Sequence, residues 1–283
     1  MTGAMVYFLG AGPGDPELIT VKGMRLLGQA GTVIHAGSLV NPALLELSPR
    51  AELIDSSPLC LDDIVEVMIT RARAGRLVVR LHSGDPSFYG AIKEQMERLR
   101  EAGIGYEVVP GVSSLNAAAA ALGCELTVPD VSQTVIVTRA AGRTPVPESE
   151  DISSLAVHGA TMAVFLSAGL AAEVRRKLLA GGYAPETPAA VVQNASRADQ
   201  KILSTTVAAL ADDIEAAGIG RTAIILVGEA LAQAGGESLL YKRGFSHGYR
   251  QEPDAGDSSH GYRQEPDAAD SSRSDSQETG ADD

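Results

Sequence analysis

The chain has 283 residues, 45% of them hydrophobic and 30 of them glycine, enough for a sizeable core in one large or two medium domains. Aromatics are scarce, with no Trp, four Phe and seven Tyr, so Leu, Val, Ile and Ala must build that core. The net charge of −13 leaves no basic stripe of the kind that non-specific nucleic-acid binding requires, which argues against an RNA or DNA substrate.

The first apolar run, VYFL at 6–9, is short, lacks a basic flank and runs straight into a glycine loop. It reads as a strand and not as a signal peptide. Helical apolar spacing follows over 16–30, then a strand at 32–35 (TVIH) and a short one at 51–54. A helix is expected over 61–74, a strand over 77–81 (LVVRL), a helix over 88–102 and a strand over 106–109. Near-continuous apolar runs bounded by Gly and Pro suit a parallel sheet covered on both faces, so this half is a doubly wound α/β domain.

After residue 122 a second set begins. Strands are expected at 133–138, 162–166, 189–192, 202–206 and 222–227, with helices at 170–179 and 207–216. The strand at 202–206 follows its predecessor across a short loop, so some antiparallel pairing is expected. Residues 141–154, with acidic residues and two Pro, read as an exposed loop. The expected fold is α/β, two α/β domains over 1–122 and 123–245 with an active-site cleft between them.

Residues 246–283 stand apart. The string HGYRQEPD recurs, His247–Asp254 matching His260–Asp267 at a period of 13, and three Arg face ten Asp and Glu, leaving −6 for residues 1–245. One duplication is too few for a solenoid. This stretch reads as a disordered acidic tail. Cys60 and Cys124 lie far apart in no metal-ligand spacing and read as ordinary thiols of a reducing compartment. No metal site is expected. No apolar run approaches the roughly 20 residues of a membrane helix, so no membrane partner is expected and the location should be cytoplasmic.

Three Gly-rich loops each follow a strand of the first half. Gly10-Ala-Gly-Pro-Gly-Asp-Pro16 sits between strand and helix, yet a dinucleotide fingerprint would need Gly at position 15, which is Asp, and no G-K-[ST] marks a P-loop. His82-Ser-Gly-Asp-Pro86 and Val109-Pro-Gly-Val-Ser-Ser114 are the others. In an open parallel sheet, ligands bind beyond the carboxyl ends of the strands, where such loops gather. Any one of them could be a tight strand–helix turn, but three in one domain point to a ligand.

These loops, with Glu17-Leu-Ile-Thr-Val-Lys22 and Arg80-Leu-His-Ser-Gly-Asp-Pro86, resemble the class III S-adenosylmethionine methyltransferases of tetrapyrrole synthesis. His35–Val40 (HAGSLV), Tyr89–Gln95 (YGAIKEQ) and Glu125–Thr134 (ELTVPDVSQT) resemble the precorrin-4 C11-methyltransferase branch, and the likeness spans residues 5–243. It implies a homodimer acting in cobalamin synthesis, with S-adenosyl-L-methionine as cofactor and a tetrapyrrole as substrate. Positions matching the cofactor site are Pro13, Ser83, Gly84, Asp85, Phe88, Ser113, Ser114, Leu166, Ala168, Ala195, Thr222 and Ala223.

Methyl transfer from a sulfonium needs positioning more than covalent help, so no catalytic triad is expected. Asp85 is the candidate catalytic polar group near the methyl, with capping of the following helix as the alternative. Corrin precursors carry several carboxylates, so cations should line the trough of this acidic chain. The candidates are Arg80, His82, Lys93, Arg139 and Arg143, each of which could instead be a solvated surface charge. A methyltransferase with another target would keep the cofactor loops, and a non-catalytic nucleotide- or anion-binding module would explain the glycines alone.

Overall fold

A computed structural model describes residues 4–236, together with Ser238 and Phe245. Residues 1–236 form one compact unit and 237–283 a separate one; the acidic tail expected over 246–283 lies outside the described residues.

The first sheet holds β1 (Met5–Gly10), β2 (Thr32–His35), β3 (Glu52–Asp55), β4 (Val78–His82) and β5 (Gly105–Val109) in the order β3-β2-β4-β1-β5, every pair parallel. Side chains alternate across it with the period of two that a pleated strand imposes. Leu9, Val33, Val79 and Leu81 meet Leu26 and Leu27 of α1 (Val21–Gln29) and Leu44 of α2 (Pro42–Leu45) on one face. On the other, Val6, Phe8, Ile34 and Val78 meet Val65 and Met68 of α3 (Leu61–Arg73) and Leu99 of α4 (Ile92–Glu101). Each fully buried Leu, Val or Phe contributes about 1.5–3 kcal/mol, so the two layers hold the sheet from both sides.

The expected helix over 16–30 divides in two. Asp15 accepts from the Glu17 amide to start a 3-10 turn at Pro16–Leu18, and Thr20 then caps α1 by accepting from Gly23 N. The helix expected from residue 88 begins only at Ile92, because Tyr89 (φ 56°) and Ala91 (φ 49°) take left-handed backbone that no helix continues through.

The second sheet runs β6-β7-β10-β8-β9, from β6 (Val135–Arg139), β7 (Thr161–Phe165), β8 (Pro188–Gln193), β9 (Lys201–Thr206) and β10 (Ala223–Val227). Only β6 and β7 are parallel; the hairpin of β8 and β9 is antiparallel, as the short loop implied, and β10 runs antiparallel to both its neighbours. Helices α6 (Ile152–Ala156), α7 (Ala171–Ala180) and α8 (Leu210–Ala216) cover one face. The other is covered by α5 (Ser114–Leu122), whose Ala117 and Ala118 pack on Ala163, Val192, Ile224 and Leu226. The third Gly-rich loop therefore leads out of one sheet directly into the helix that covers the other.

Residues 141–154 are not simply an exposed loop. Asp151 accepts from Ser153 N to cap α6, and Ile152 is 1% exposed in the second core. The acidic and proline residues around that one apolar anchor concealed it.

Candidate active site

The strands that bear the three Gly-rich loops, β4, β1 and β5, are neighbours in the first sheet, so the loops emerge side by side at its carboxyl edge. Their backbones lock together. Gly12 and Gly84 exchange hydrogen bonds of 3.2 and 2.8 Å, and Ala11 N donates to the His82 carbonyl at 2.7 Å. A Cβ on Gly10 would lie 2.6 Å from both Gly111 Cα and the Gly84 carbonyl oxygen, so only glycine permits this approach.

Asp85 binds the loops to one another. Its Oδ1 accepts from Ser87 N at 2.8 Å and its Oδ2 from Gly111 N at 2.9 Å. The expected helix cap is thus a tie between the second and third loops, since the next helix starts seven residues on. Both carboxylate oxygens serve structure. Asp85→Asn can satisfy only one of those amides and leaves an NH2 facing the other, which should lower stability by about 1–3 kcal/mol. We expect a lower melting temperature and a reduced kcat, with the acidic limb of the pH–rate profile unmoved. Loss of that limb at unchanged stability would return Asp85 to proton transfer.

One end of the second sheet supplies the opposing surface. Antiparallel register brings Ala223 beside Gln193, and Ile225 beside Val164, so Leu166–Ala168, Asn194–Ser196 and Thr222 gather at that end. Four residues there take left-handed backbone without being glycine: Leu166 (φ 54°), Asn194 (φ 52°), Ser196 (φ 64°) and Thr222 (φ 60°). For branched Thr222 this conformation is a genuine outlier, and such strain collects at ligand sites. The two surfaces touch where Asp15 N donates to Ser196 Oγ at 3.0 Å and Arg197 Nη2 donates to the Leu39 carbonyl at 2.7 Å. Phe88, from the second loop, stacks on Phe165 with ring centroids 6.0 Å apart.

The cofactor candidates fall on this frame. Pro13, Gly84, Ala168 and Ala195 are buried in it, Ser113 caps α5 by accepting from Leu115 N at 3.3 Å, and Ser114 opens that helix. Ser83, Phe88, Leu166 and Thr222 are exposed, and Ala223 is half-buried.

The cation candidates scatter. Lys93 is an exposed i,i+4 partner of Glu97 on α4. Arg139 donates from Nη1 to the carbonyls of Ala140 and Thr144 and from Nη2 to that of Pro145, none of them charged, and Arg143 is exposed. Neither Arg80 nor His82 is a solvated charge: both point from β4 into the α3–α4 layer, 6% and 7% exposed. Arg80 donates from Nη1 to Ser56 Oγ at 3.0 Å and to the Ile34 carbonyl at 3.3 Å, with no carboxylate beside it, and burial lowers its pKa to about 10. Burial, with Arg80 adding to it, pushes the His82 imidazole down to about 3, so His82 is neutral near pH 7 and no cation.

That shift has a consequence for stability. The unfolded chain protonates His82 near 6.5 and the folded one only near 3, so the unfolded state binds the extra proton between those values. Stability is whole above 6.5 and drains as the pH falls toward 3, by up to about 1.4 kcal/mol per unit. His82→Leu is expected to lose less melting temperature than the parent between pH 7 and 4.5; parallel curves would contradict the assignment.

Among the described residues no group of three His, Cys, Asp or Glu could hold a metal ion, and no helix is long and apolar enough to cross a membrane. Sequence reading missed Tyr89 and Phe165, which meet between the second loop and the end of β7 at 5.4 Å. Phe165 was hidden in an apolar strand, and only the scarcity of aromatics could have singled it out.

A doubly wound sheet with three locked loops at its switch point, facing the strained end of a second sheet, defines a two-sheet α/β protein. Residues 5–211 match the Tetrapyrrole (Corrin/Porphyrin) Methylases, and the chain belongs to that family. It is 50% identical over 248 residues to a cobalt-precorrin-4 C(11)-methyltransferase of Methanocaldococcus jannaschii, covering 87% of this chain and 96% of that one. It is 49% identical over 246 residues to a precorrin-4 C(11)-methyltransferase of Pseudomonas aeruginosa, covering 87% and 98%. Among solved structures, a cobalt precorrin-4 methyltransferase superimposes with a TM-score of 0.79 at 49% identity, covering 81% and 96%. A uroporphyrin-III C-methyl transferase from Thermus thermophilus, complexed with S-adenyl homocysteine, gives 0.68 at 29% identity, covering 80% and 93%.

Proposed function

We propose that the chain transfers a methyl group from S-adenosylmethionine to C11 of precorrin-4, or of its cobalt-bound form, in cobalamin synthesis. The observation that carries this is the set of three adjacent loops facing the strained end of the second sheet. The identities near 50% to enzymes named for that carbon support the choice of substrate.

The residues at the cleft fit the cofactor. Backbone groups of Ala195 with the hydroxyls of Ser83, Ser113 and Ser114 offer an uncharged donor and acceptor set, and Ala168, Thr222 and Ala223 are small enough to border a nucleoside. When bound, the cofactor supplies a methyl already activated by its sulfonium. The protein's share is placement: the locked loops fix one partner, the second sheet fixes the other, and their closure excludes water. Holding reacting atoms about 3–3.5 Å apart is worth several orders of magnitude without any covalent step. Pro13 stiffens the first loop where it passes Ala195 and Ser196.

For the tetrapyrrole carboxylates we propose Arg139 and Arg143 at the rim; Arg80, buried in the α3–α4 layer against Ser56 and Ile34, faces away from them. Lys93, committed to Glu97 on the helix surface, is the weakest of the set. We further propose a homodimer, to be read by sedimentation as twice 29.3 kDa, and a cytoplasmic location, which the two unpaired cysteines support.

The test is a methyl-transfer assay with methyl-labelled S-adenosylmethionine and precorrin-4 in metal-free and cobalt-bound forms, reading product mass and methyl position. A single methyl at C11 is expected, and the preferred form settles the metal question. Cofactor binding with neither form methylated would overturn the substrate and leave the family alone.

A further inference from the structure

The chain is poor in aromatics, yet two of its four Phe meet in one exposed cluster at the cleft. Phe88 and Tyr89 are each 42% exposed and Leu166 is 72% exposed, beside half-buried Phe165. Phe88 lies nearly parallel to Phe165, at 16°, and Tyr89 leans on the same ring at 47°. The cluster joins the second loop of one sheet to the end of β7 in the other. Core packing does not require it, because large apolar groups left in water by a folded chain mark a surface that receives a partner.

The backbone makes the same point independently. Tyr89 and Leu166 both hold left-handed φ, 56° and 54°, where glycine would sit without strain. A chain with no use for these side chains would gain by replacing either with glycine. Strain retained at two bulky residues on opposite sides of one cleft belongs to what they contact. At the edge of the cluster Arg139 is close enough to act on the Tyr89 phenol electrostatically.

We infer that Phe88, Tyr89, Phe165 and Leu166 form a stacking platform for one face of the cyclic tetrapyrrole, with Arg139 at its rim to receive a carboxylate arm. A broad macrocycle of pyrrole-derived rings fringed with carboxylates matches an apolar aromatic floor with a cation beside it. On this account Phe88 and Leu166 serve the macrocycle rather than the cofactor. The inference rests on the reading of the cleft as a tetrapyrrole methyltransferase site.

The experiment uses the full chain and two probes, S-adenosylhomocysteine by calorimetry and uroporphyrin III by its absorbance shift. Phe165→Leu and Phe88→Leu should each weaken porphyrin binding by about tenfold or more, the scale of one aromatic stacking contact. Both should hold S-adenosylhomocysteine within twofold of the parent, and Phe165→Tyr, which keeps a ring, should hold the porphyrin as well. Variants that bind the porphyrin as the parent does overturn the platform and leave the methyltransferase reading standing. So does a parent that binds S-adenosylhomocysteine but no porphyrin, or an equal loss of both ligands. A parent that binds neither probe overturns the reading beneath it.

Discussion

Gly111→Ala should abolish most methyl transfer, by about a hundredfold or more, while the same change at Gly220 should be nearly silent. The contrast is steric. A methyl on Gly111 would stand 2.8 Å from Gly10 Cα and nearer still to the Gly84 carbonyl oxygen, whereas nothing lies within 4 Å of one on Gly220. Every atom met at Gly111 is backbone, so no rotamer change relieves the clash and the loops must part. Overpacking of this kind costs about 1–3 kcal/mol of stability. Activity should suffer more, because all three loops shift together, and a displacement near 1 Å is worth about a hundredfold in rate. The check is kcat/KM beside the melting temperature for both variants. Equal activities would mean that the close approach of the loops does not govern the site.

That triple approach was legible in part. The sequence shows three glycine loops after three strands, but not that β4, β1 and β5 are neighbours, because strand order is a tertiary property. Elements set by an apolar period came out within a residue or two: 32–35 matches β2, and 61–74 overruns α3 by one. Misreadings arose where local chemistry overrode the period. Tyr89 and Ala91 look helical in the pattern of 88–102 yet hold left-handed backbone, delaying α4. In α5 the run of alanines gives no contrast between faces, and its packing on the second sheet is visible only once that sheet exists. Asp85 was found by its motif, but its bond to Gly111 N joins residues 26 apart, which no local pattern reports.

Arg80 illustrates the same limit and yields the second large effect. In a string it is one more cation beside a motif; in the fold it is 6% exposed, without an acid, and its Nε has no hydrogen-bond partner. Burial brings its pKa from 12.5 to about 10, so it remains charged at pH 7 at a cost of roughly 3 kcal/mol. Replacing such a charge by an apolar side chain of similar length is often stabilising by about 1–4 kcal/mol. Arg80→Met is therefore expected to melt several degrees above the parent. Because the Arg80 guanidinium lies in the α3–α4 layer, held by Ser56 and Ile34, KM for the tetrapyrrole and S-adenosylhomocysteine affinity should both stay near the parent's. A raised KM at retained stability would show instead that Arg80 reaches the substrate. A less stable variant would show that those two hydrogen bonds outweigh the burial of the charge.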